Sequence, residues 1–353
     1  MSRFFWRKDN FGVFRASVPL FSYSLVAQGL NFLLLFLLPY LFKVSEISLF
    51  FVFSALGNIL VHLVALQSQN AIVLSSKWEE ALTRLRSSLL IGGGISILIL
   101  FLVFANLPFS LLFPDKTISP DLIPFLSLYC LIGHSLIAFE HYFTFKKKFQ
   151  LIGMMKFIKS SAIFLLALLA GVSELGPFSI VYAFLGGHLV VALWLVLSGF
   201  IPFRLLWTKP VGFRGFIRDF RKMMAFETSF NGILQGISHL PVVFLSAFYG
   251  EQIVAYYGIA QRVVATPIGL WSQSLAQVFY QKISEFYNRG IRFLFFVKSF
   301  FKKVIGLSIA YGVGVLLFAP FILTFLMGEE WHEAGTIARV IIPLIVVQNA
   351  AMP

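Results

Sequence analysis

Apolar stretches of about twenty residues recur along the whole chain, separated by short polar breaks. A helix rises about 1.5 Å per residue, so each stretch is long enough to cross the ~30 Å hydrocarbon core of a bilayer. They fall at residues 17–42, 47–66, 88–113, 122–145, 157–172, 178–201, 223–248, 253–280 and 304–327, and a tenth starts at Thr336 and is still running at Pro353. Pro108, Pro114, Pro120 and Pro124 leave the limits of the third and fourth least defined. Hydrocarbon offers no water to backbone N–H and C=O groups, so such stretches close their hydrogen bonds as helices. The expected fold class is an all-α polytopic membrane protein of about ten transmembrane helices.

Composition agrees. Of 353 residues, 59% are hydrophobic and 12% charged, about half the ~25% charge of a soluble domain. The 43 phenylalanines carry no cost where the solvent is itself apolar. Cys130 is the single cysteine and stands in an apolar run, which excludes an internal disulfide and a cysteine-based metal site. The first stretch follows Arg3, Arg7, Lys8 and Arg15 as a signal peptide would. It is too long for a signal core and lacks a small-residue cleavage site, so it is read as a retained span.

The net charge of +13 raises nucleic acid as a partner, but the placement of the charges gives another account. Of the 28 lysines and arginines, 24 fall in alternate segments: residues 3–15, 77–86, 146–159, 204–222 and 282–303. The intervening loops hold only Lys43 and Lys116, while Arg262 and Arg339 lie inside spans. This alternation puts the basic loops and the N-terminus in the cytoplasm. The charge is then a topology signal and an attraction to anionic headgroups, and nucleic acid drops out. Residues 213–221 and 291–303, where Phe is interleaved with Lys and Arg, are expected to lie along the membrane surface. The opposite loops are small, as at residues 43–46, 173–177 and 250–252, which argues against polymerase or ligase chemistry on the outer face.

A shift of about 206 residues superposes the chain on itself. Phe14-Arg15 falls on Phe220-Arg221 and Phe50-Phe51 on Tyr256-Tyr257, while Gln67-Ser68 falls on Gln273-Ser274 and Pro114 on Pro320. Gln28-Gly29 meets Gln235-Gly236 with a one-residue slip. The expected domains are an N-terminal six-helix lobe, residues 1–207, and a C-terminal lobe, residues 208–353, truncated after about four helices. Six helices is an even number, so both lobes enter from the same side, and the substrate site is expected between them.

Two segments carry a family resemblance. Ala255-Tyr-Tyr-Gly-Ile-Ala-Gln-Arg262, with Pro267 and residues 274–284, resembles the eighth-helix region of polysaccharide-repeat-unit flippases of the multidrug/oligosaccharidyl-lipid/polysaccharide exporter superfamily. Met327-Gly-Glu-Glu-Trp331-His-Glu-Ala-Gly335, followed by Ile341-Ile-Pro343, is similar to that family's loop between helices nine and ten. The resemblance implies a non-enzymatic protein that moves undecaprenyl-diphosphate-linked sugar units by alternating access, with helices one, two, seven and eight lining a cationic cavity. It also implies that a complete second lobe has two more helices than this chain.

Arg262 is the leading candidate. It lies about nine residues, or ~14 Å, into its span, where a charge costs on the order of 3 kcal/mol. One reading is a bidentate clamp on a diphosphate, which the planar, permanently charged guanidinium suits. The other is a structural pair with Glu227 or with backbone carbonyls. Glu227 itself reads either as a site for a coupling H+ or Na+ or as an interfacial side chain. Gln28, Asn31, Asn58, Asn231, Gln235, Gln261 and Gln273 fall in the spans expected to line the cavity. They stand ready either for sugar hydroxyls or for interhelical hydrogen bonds. Glu140 and His141 read as an interfacial cluster or a proton relay. His62, His134, His188 and His239 are scattered over separate spans and read as hydrogen-bonded interior histidines rather than metal ligands. Gly92-Gly-Gly94 and Gly186-Gly187 read as close helix packing, and Pro241 and Pro267 as bends within spans.

The expected function is translocation of lipid-linked oligosaccharide repeat units for O-antigen, capsule or a related envelope polysaccharide. The location is a bacterial inner membrane, and no cofactor is required. The partners are the lipid-linked substrate, membrane lipids and polysaccharide assembly proteins such as a polymerase. A lipid II flippase and a cation-coupled drug exporter are the alternatives within the superfamily, and a membrane-embedded polymerase is the alternative outside it.

Overall fold

Apolar stretches that cannot leave backbone groups open in lipid should be helical, and over nearly all of their described residues they are. The structure, a computed structural model, describes residues 5–104, 121–173, 175–201, 212–288 and 294–351. Among them every regular element is helical. In chain order these are α1 (Phe5–Leu41), α2 (Val44–Val64), α3 (Asn70–Val73), α4 (Trp78–Phe104), α5 (Leu122–Phe145) and α6 (Phe149–Ser173). There follow α7 (Ser179–Leu197), α8 (Phe213–Phe248), α9 (Glu251–Asn288), α10 (Leu294–Met327) and α11 (His332–Ala351), with a 3-10 turn at Glu329–Trp331. Eight helices among the described residues are long and apolar enough to cross a membrane: α1, α2, α4 to α8 and α10. The chain is therefore a multi-pass membrane protein. α9 and α11, expected as the eighth and tenth spans, are helical but do not stand among those eight.

Helix boundaries repeat as the sequence does. α8 begins 208 residues after α1 and ends 207 after it, and α9 begins 207 after α2. Two expectations about the loops need correction. Residues 213–221 and, of 291–303, the described 294–303 are the first turns of α8 and α10 rather than parts of loops. Once a helix is nucleated, each added residue gains a hydrogen bond, and no proline interrupts either junction. The fifth span likewise starts at Phe149, so Lys156 and Lys159 lie inside α6 and not in the preceding loop.

The chain divides into two compact units, residues 1–30 with 45–251 and residues 31–44 with 252–353. This division differs from the one drawn by the repeat, because α8 packs with the first unit and the end of α1 with the second. In the first unit one core gathers Phe139, Tyr142, Met155 and Leu195. A second places Phe53, Tyr129 and Leu185 beside Phe184, whose ring lies 5.3 Å from that of Tyr129. In the second unit Ala260, Val264, Ala319, Ala338 and Ile342 form the core. There Tyr311 Oη donates to the Val264 carbonyl at 2.9 Å and Tyr40 Oη to that of Leu326 at 2.8 Å.

Lipid is as apolar as leucine, so helices associate through close packing rather than exclusion from the solvent. The glycines show where. A Cβ on Gly92 of α4 would meet the His134 ring of α5 at 1.9 Å, and one on Gly187 of α7 would meet Ile163 Cγ1 of α6 at 2.3 Å. On α11, a Cβ at Gly335 would stand 2.3 Å from the Pro320 Cα of α10. The expected close packing at residues 92–94 thus belongs to Gly92, since Gly94 has nothing within 4 Å. His134 is fixed by its Nε2, 2.9 Å from the Ser88 carbonyl oxygen, and cannot move aside cheaply. Gly92→Ala should therefore destabilise the protein by about 1–3 kcal/mol. Gly94→Ala should leave the unfolding midpoint in detergent near that of the wild type, and equal midpoints for the two variants would contradict this packing.

Candidate functional site

α2 ends at Val64, and the next residues leave helical geometry. Leu66 and Gln67 take φ of 46° and 49°, a left-handed conformation that costs non-glycine residues on the order of 1–3 kcal/mol. Buried polar side chains hold the break together: Gln67, Ser68 and Gln69 are at most 4% exposed. Gln67 Nε2 meets His62 Nδ1 at 3.3 Å, and Gln67 Oε1 accepts from Gln69 Nε2 at 3.0 Å and from Asn70 Nδ2 at 3.4 Å. Ser68 Oγ donates to the Ala65 carbonyl at 2.7 Å and lies 2.9 Å from Ser88 Oγ on α4.

Asn70 Nδ2 also donates to Glu227 Oε2 on α8. A continuous run of side-chain hydrogen bonds therefore reaches from His62 through Gln67 and Asn70 to the one carboxylate expected to serve ion coupling. Asn231, one turn on, donates its Nδ2 to the Glu227 carbonyl at 2.9 Å. Arg84 of α4 secures the same junction. It donates to the Ala71 carbonyl at 2.7 Å, pairs with Glu80 and places its guanidinium 4.6 Å from the Phe220 ring centroid. Phe216 and Met224 of α8 bury against Ala71 beside these contacts. The effect is to pin the first half of α8 to the segment between α2 and α4.

Arg262 lies in the second unit, ~16 Å along α9 from Glu251. Val254, Ala255, Ile259, Ala260 and Val264 form the buried face of that helix, and Gln261 and Arg262 are half-buried at its margin. The two segments that carry the family resemblance meet here: the Tyr256 ring packs edge-on against Trp331, with centroids 5.3 Å apart. Tyr256 and Trp331 thus join α9 to the turn before α11.

The other candidates separate by use. Asn58 Oδ1 accepts from Tyr129 Oη of α5 at 3.2 Å, an interhelical bond, and Asn231 is bonded within its own helix. Gln28 and Gln235 are half-buried, and Asn31 is exposed. Gln273 is helical, and its side chain lies outside the described residues. His62, His134 and His188 each make a hydrogen bond, the last from Nδ1 to the Phe184 carbonyl oxygen at 2.8 Å.

Sequence reasoning missed Asn70 and Arg84 as partners of α8. The available signal was the run Gln67-Ser-Gln-Asn70, four polar residues in a row within an apolar chain. It also left Lys159 among the loop charges. The structure places it ~15 Å into α6, within electrostatic reach of Glu140 on α5, Lys156 on its own helix and His188 on α7.

The sequence model of the polysaccharide biosynthesis protein family matches residues 44–336. A solved structure of a multidrug resistance MATE family transporter of the MOP superfamily, in an inward-facing conformation, superposes with a TM-score of 0.55. It is 17% identical, and the match covers 94% of this chain and 79% of that one. At that identity the likeness is one of fold alone, and it agrees with the all-helical architecture of the described residues. No curated protein sequence matches significantly.

The Asn70–Glu227 bond joins residues 157 positions apart and is a charge-assisted contact in a partly buried site. A double-mutant cycle with Asn70→Ala and Glu227→Ala, read by unfolding in detergent, should return a coupling of about 1.5–3 kcal/mol. Strictly additive effects would show that the contact does not hold α8.

Proposed function

The chain belongs to the polysaccharide biosynthesis protein family, and on that premise we propose that it translocates lipid-linked oligosaccharide repeat units across a bacterial inner membrane. The observation that carries this reading is the coincidence, in one chain, of a polysaccharide-biosynthesis sequence with the fold of a membrane transporter. The substrate class is an undecaprenyl-diphosphate-linked sugar unit destined for O-antigen, capsule or a related envelope polysaccharide. The reading is non-enzymatic: no bond is made or broken, and the work is to carry a charged, hydrated group through hydrocarbon.

Arg262 is the proposed phosphate clamp. A fixed cation half-buried deep in a helix lowers the cost of bringing a diphosphate into a low-dielectric path, and the guanidinium fork meets phosphate oxygens two at a time. Gln261 beside it, with Gln28, Gln235 and Gln273, is proposed to exchange hydrogen bonds with sugar hydroxyls. Asn58 and Asn231 already serve within the protein, which leaves them less capacity for that role. Glu227 is proposed as the coupling residue. Protonation of its carboxylate weakens an acceptor on which Asn70 depends, and so loosens the anchor of α8. The basic segments, including Arg221, Lys222, Lys302 and Lys303, are proposed to face the cytoplasm.

Cation-coupled drug export is the second reading, since the fold neighbour is described as a multidrug resistance transporter. Export of cationic drugs asks for acidic groups along the path, so Arg262 favours an anionic cargo.

In cells deleted for this gene, lipid-linked repeat units should accumulate on the cytoplasmic face, and the wild-type chain should clear them. Arg262→Ala should abolish clearance, whereas Arg262→Lys, which keeps the charge and loses the fork, should restore part of it. Full clearance by Arg262→Ala would exclude the clamp, and normal surface polysaccharide in the deletion strain would exclude the substrate class.

A further inference from the structure

A groove of about 750 Å³ runs along α8, entirely within the first unit. Its narrow residues, Ser229, Gly232 and Gly236, recur on one helix face, and Leu63 of α2, Leu240 and Phe244 stand beside them. The glycines keep it open. A Cβ on Gly232 would come into van der Waals contact with Leu63 Cδ2 at 3.4 Å, so a larger side chain there would fill the space between the two helices. Apart from hydroxyls at Thr228 and Ser229 the lining is apolar. It is a shallow furrow, open along its length, rather than an enclosed pocket.

Length decides what fits. From Ser229 to Phe244 the groove follows α8 for about 22 Å, whereas half the hydrocarbon core is only ~15 Å. A phospholipid acyl chain stops near the mid-plane and leaves the far part unfilled. A polyprenyl chain is long enough to occupy all of it. Charge gives the other end. The same helix face continues toward the N-terminus through Ala225 to Arg221 and Lys222, which are exposed about 10 Å beyond Ser229. The last twenty or so residues of α8 suffice to cross the core, so those two cations lie at headgroup depth.

We propose that this groove seats the polyprenyl chain of a lipid diphosphate, with the diphosphate against Arg221 and Lys222. The inference rests on the transport reading for the identity of the lipid. It adds a loading position for the tail, separate from the step assigned to Arg262. The chain gains by replacing contacts with disordered acyl chains by a fixed apolar channel, and the cations select an anionic head.

The test uses the full chain in vesicles of phosphatidylethanolamine and phosphatidylglycerol. The probe is undecaprenyl diphosphate carrying a photoactivatable diazirine near the far end of its chain. After irradiation and digestion, label should concentrate in residues 223–262, the segment between Lys222 and Arg262. Excess unlabelled undecaprenyl diphosphate should reduce it at least about tenfold. The same excess of phosphatidylglycerol, or of farnesyl diphosphate with its short chain, should not. Gly232→Leu should cut labelling by about fivefold or more, and Arg221→Gln with Lys222→Gln should weaken it in proportion. Competition by phosphatidylglycerol as strong as by the polyprenyl lipid would make the groove a phospholipid seat and overturn the proposal. Label spread evenly over other helices, or a cross-link between two copies of the chain through this face, would do the same. If Gly232→Leu fails to fold, the competition series on the wild-type chain decides alone. Labelling of residues 223–262 together with failure to move a sugar-bearing lipid would reject the transport reading and keep the groove; transport without that labelling would reject only the groove.

Discussion

In hydrocarbon a backbone N–H or C=O without a partner costs several kcal/mol, and that single constraint governs where this chain is regular and where it is not. Its long helices continue through Pro241, Pro267, Pro320 and Pro343. Ending a helix inside the membrane would expose far more polar backbone than the one N–H that a proline removes. Where a helix does end, after α2, the break is built from polar side chains. There Gln67, Ser68 and Gln69 supply buried side-chain hydrogen bonds beside the interrupted helix, and the left-handed pair Leu66 and Gln67 becomes tolerable because those bonds over-determine it.

What attaches to the break follows from its polarity. A cluster of buried amides offers donors that only another polar group can satisfy, and Glu227 of α8 is that group. Arg84 adds a carbonyl bond and a face-on contact with Phe220. By sequence repeat α8 opens the second half of the chain, yet these bonds make it part of the first unit. The same junction leaves the opposite side of α8 free of large side chains at Ser229, Gly232 and Gly236. The carboxylate proposed to respond to an ion and the groove proposed to hold a lipid chain therefore lie on one helix.

Charged groups within spans divide by what surrounds them. Lys159 lies among Glu140, Lys156 and His188 on three helices of the first unit, and Glu227 has Asn70. Arg262 stands at the margin of a face built from alanine, valine and isoleucine. The transport reading centres on it because a guanidinium can meet a diphosphate two oxygens at a time.

The period and length of the apolar stretches were enough to specify an all-helical membrane protein, most of its spans, its internal repeat and the glycines that let helices touch. Each of those properties is written locally or at a constant shift. Arg262 was legible for the same reason, as a charge inside an apolar run. Local pattern could not show that the charged turns at 213–221 and 294–303 continue as span helices, because an amphipathic segment reads alike in either setting. It also could not pair Asn70 with Glu227 or open a groove beside Leu63. Those features join residues more than 150 positions apart, and only the packing of α2, α3 and α8 brings their side chains within hydrogen-bonding and van der Waals range.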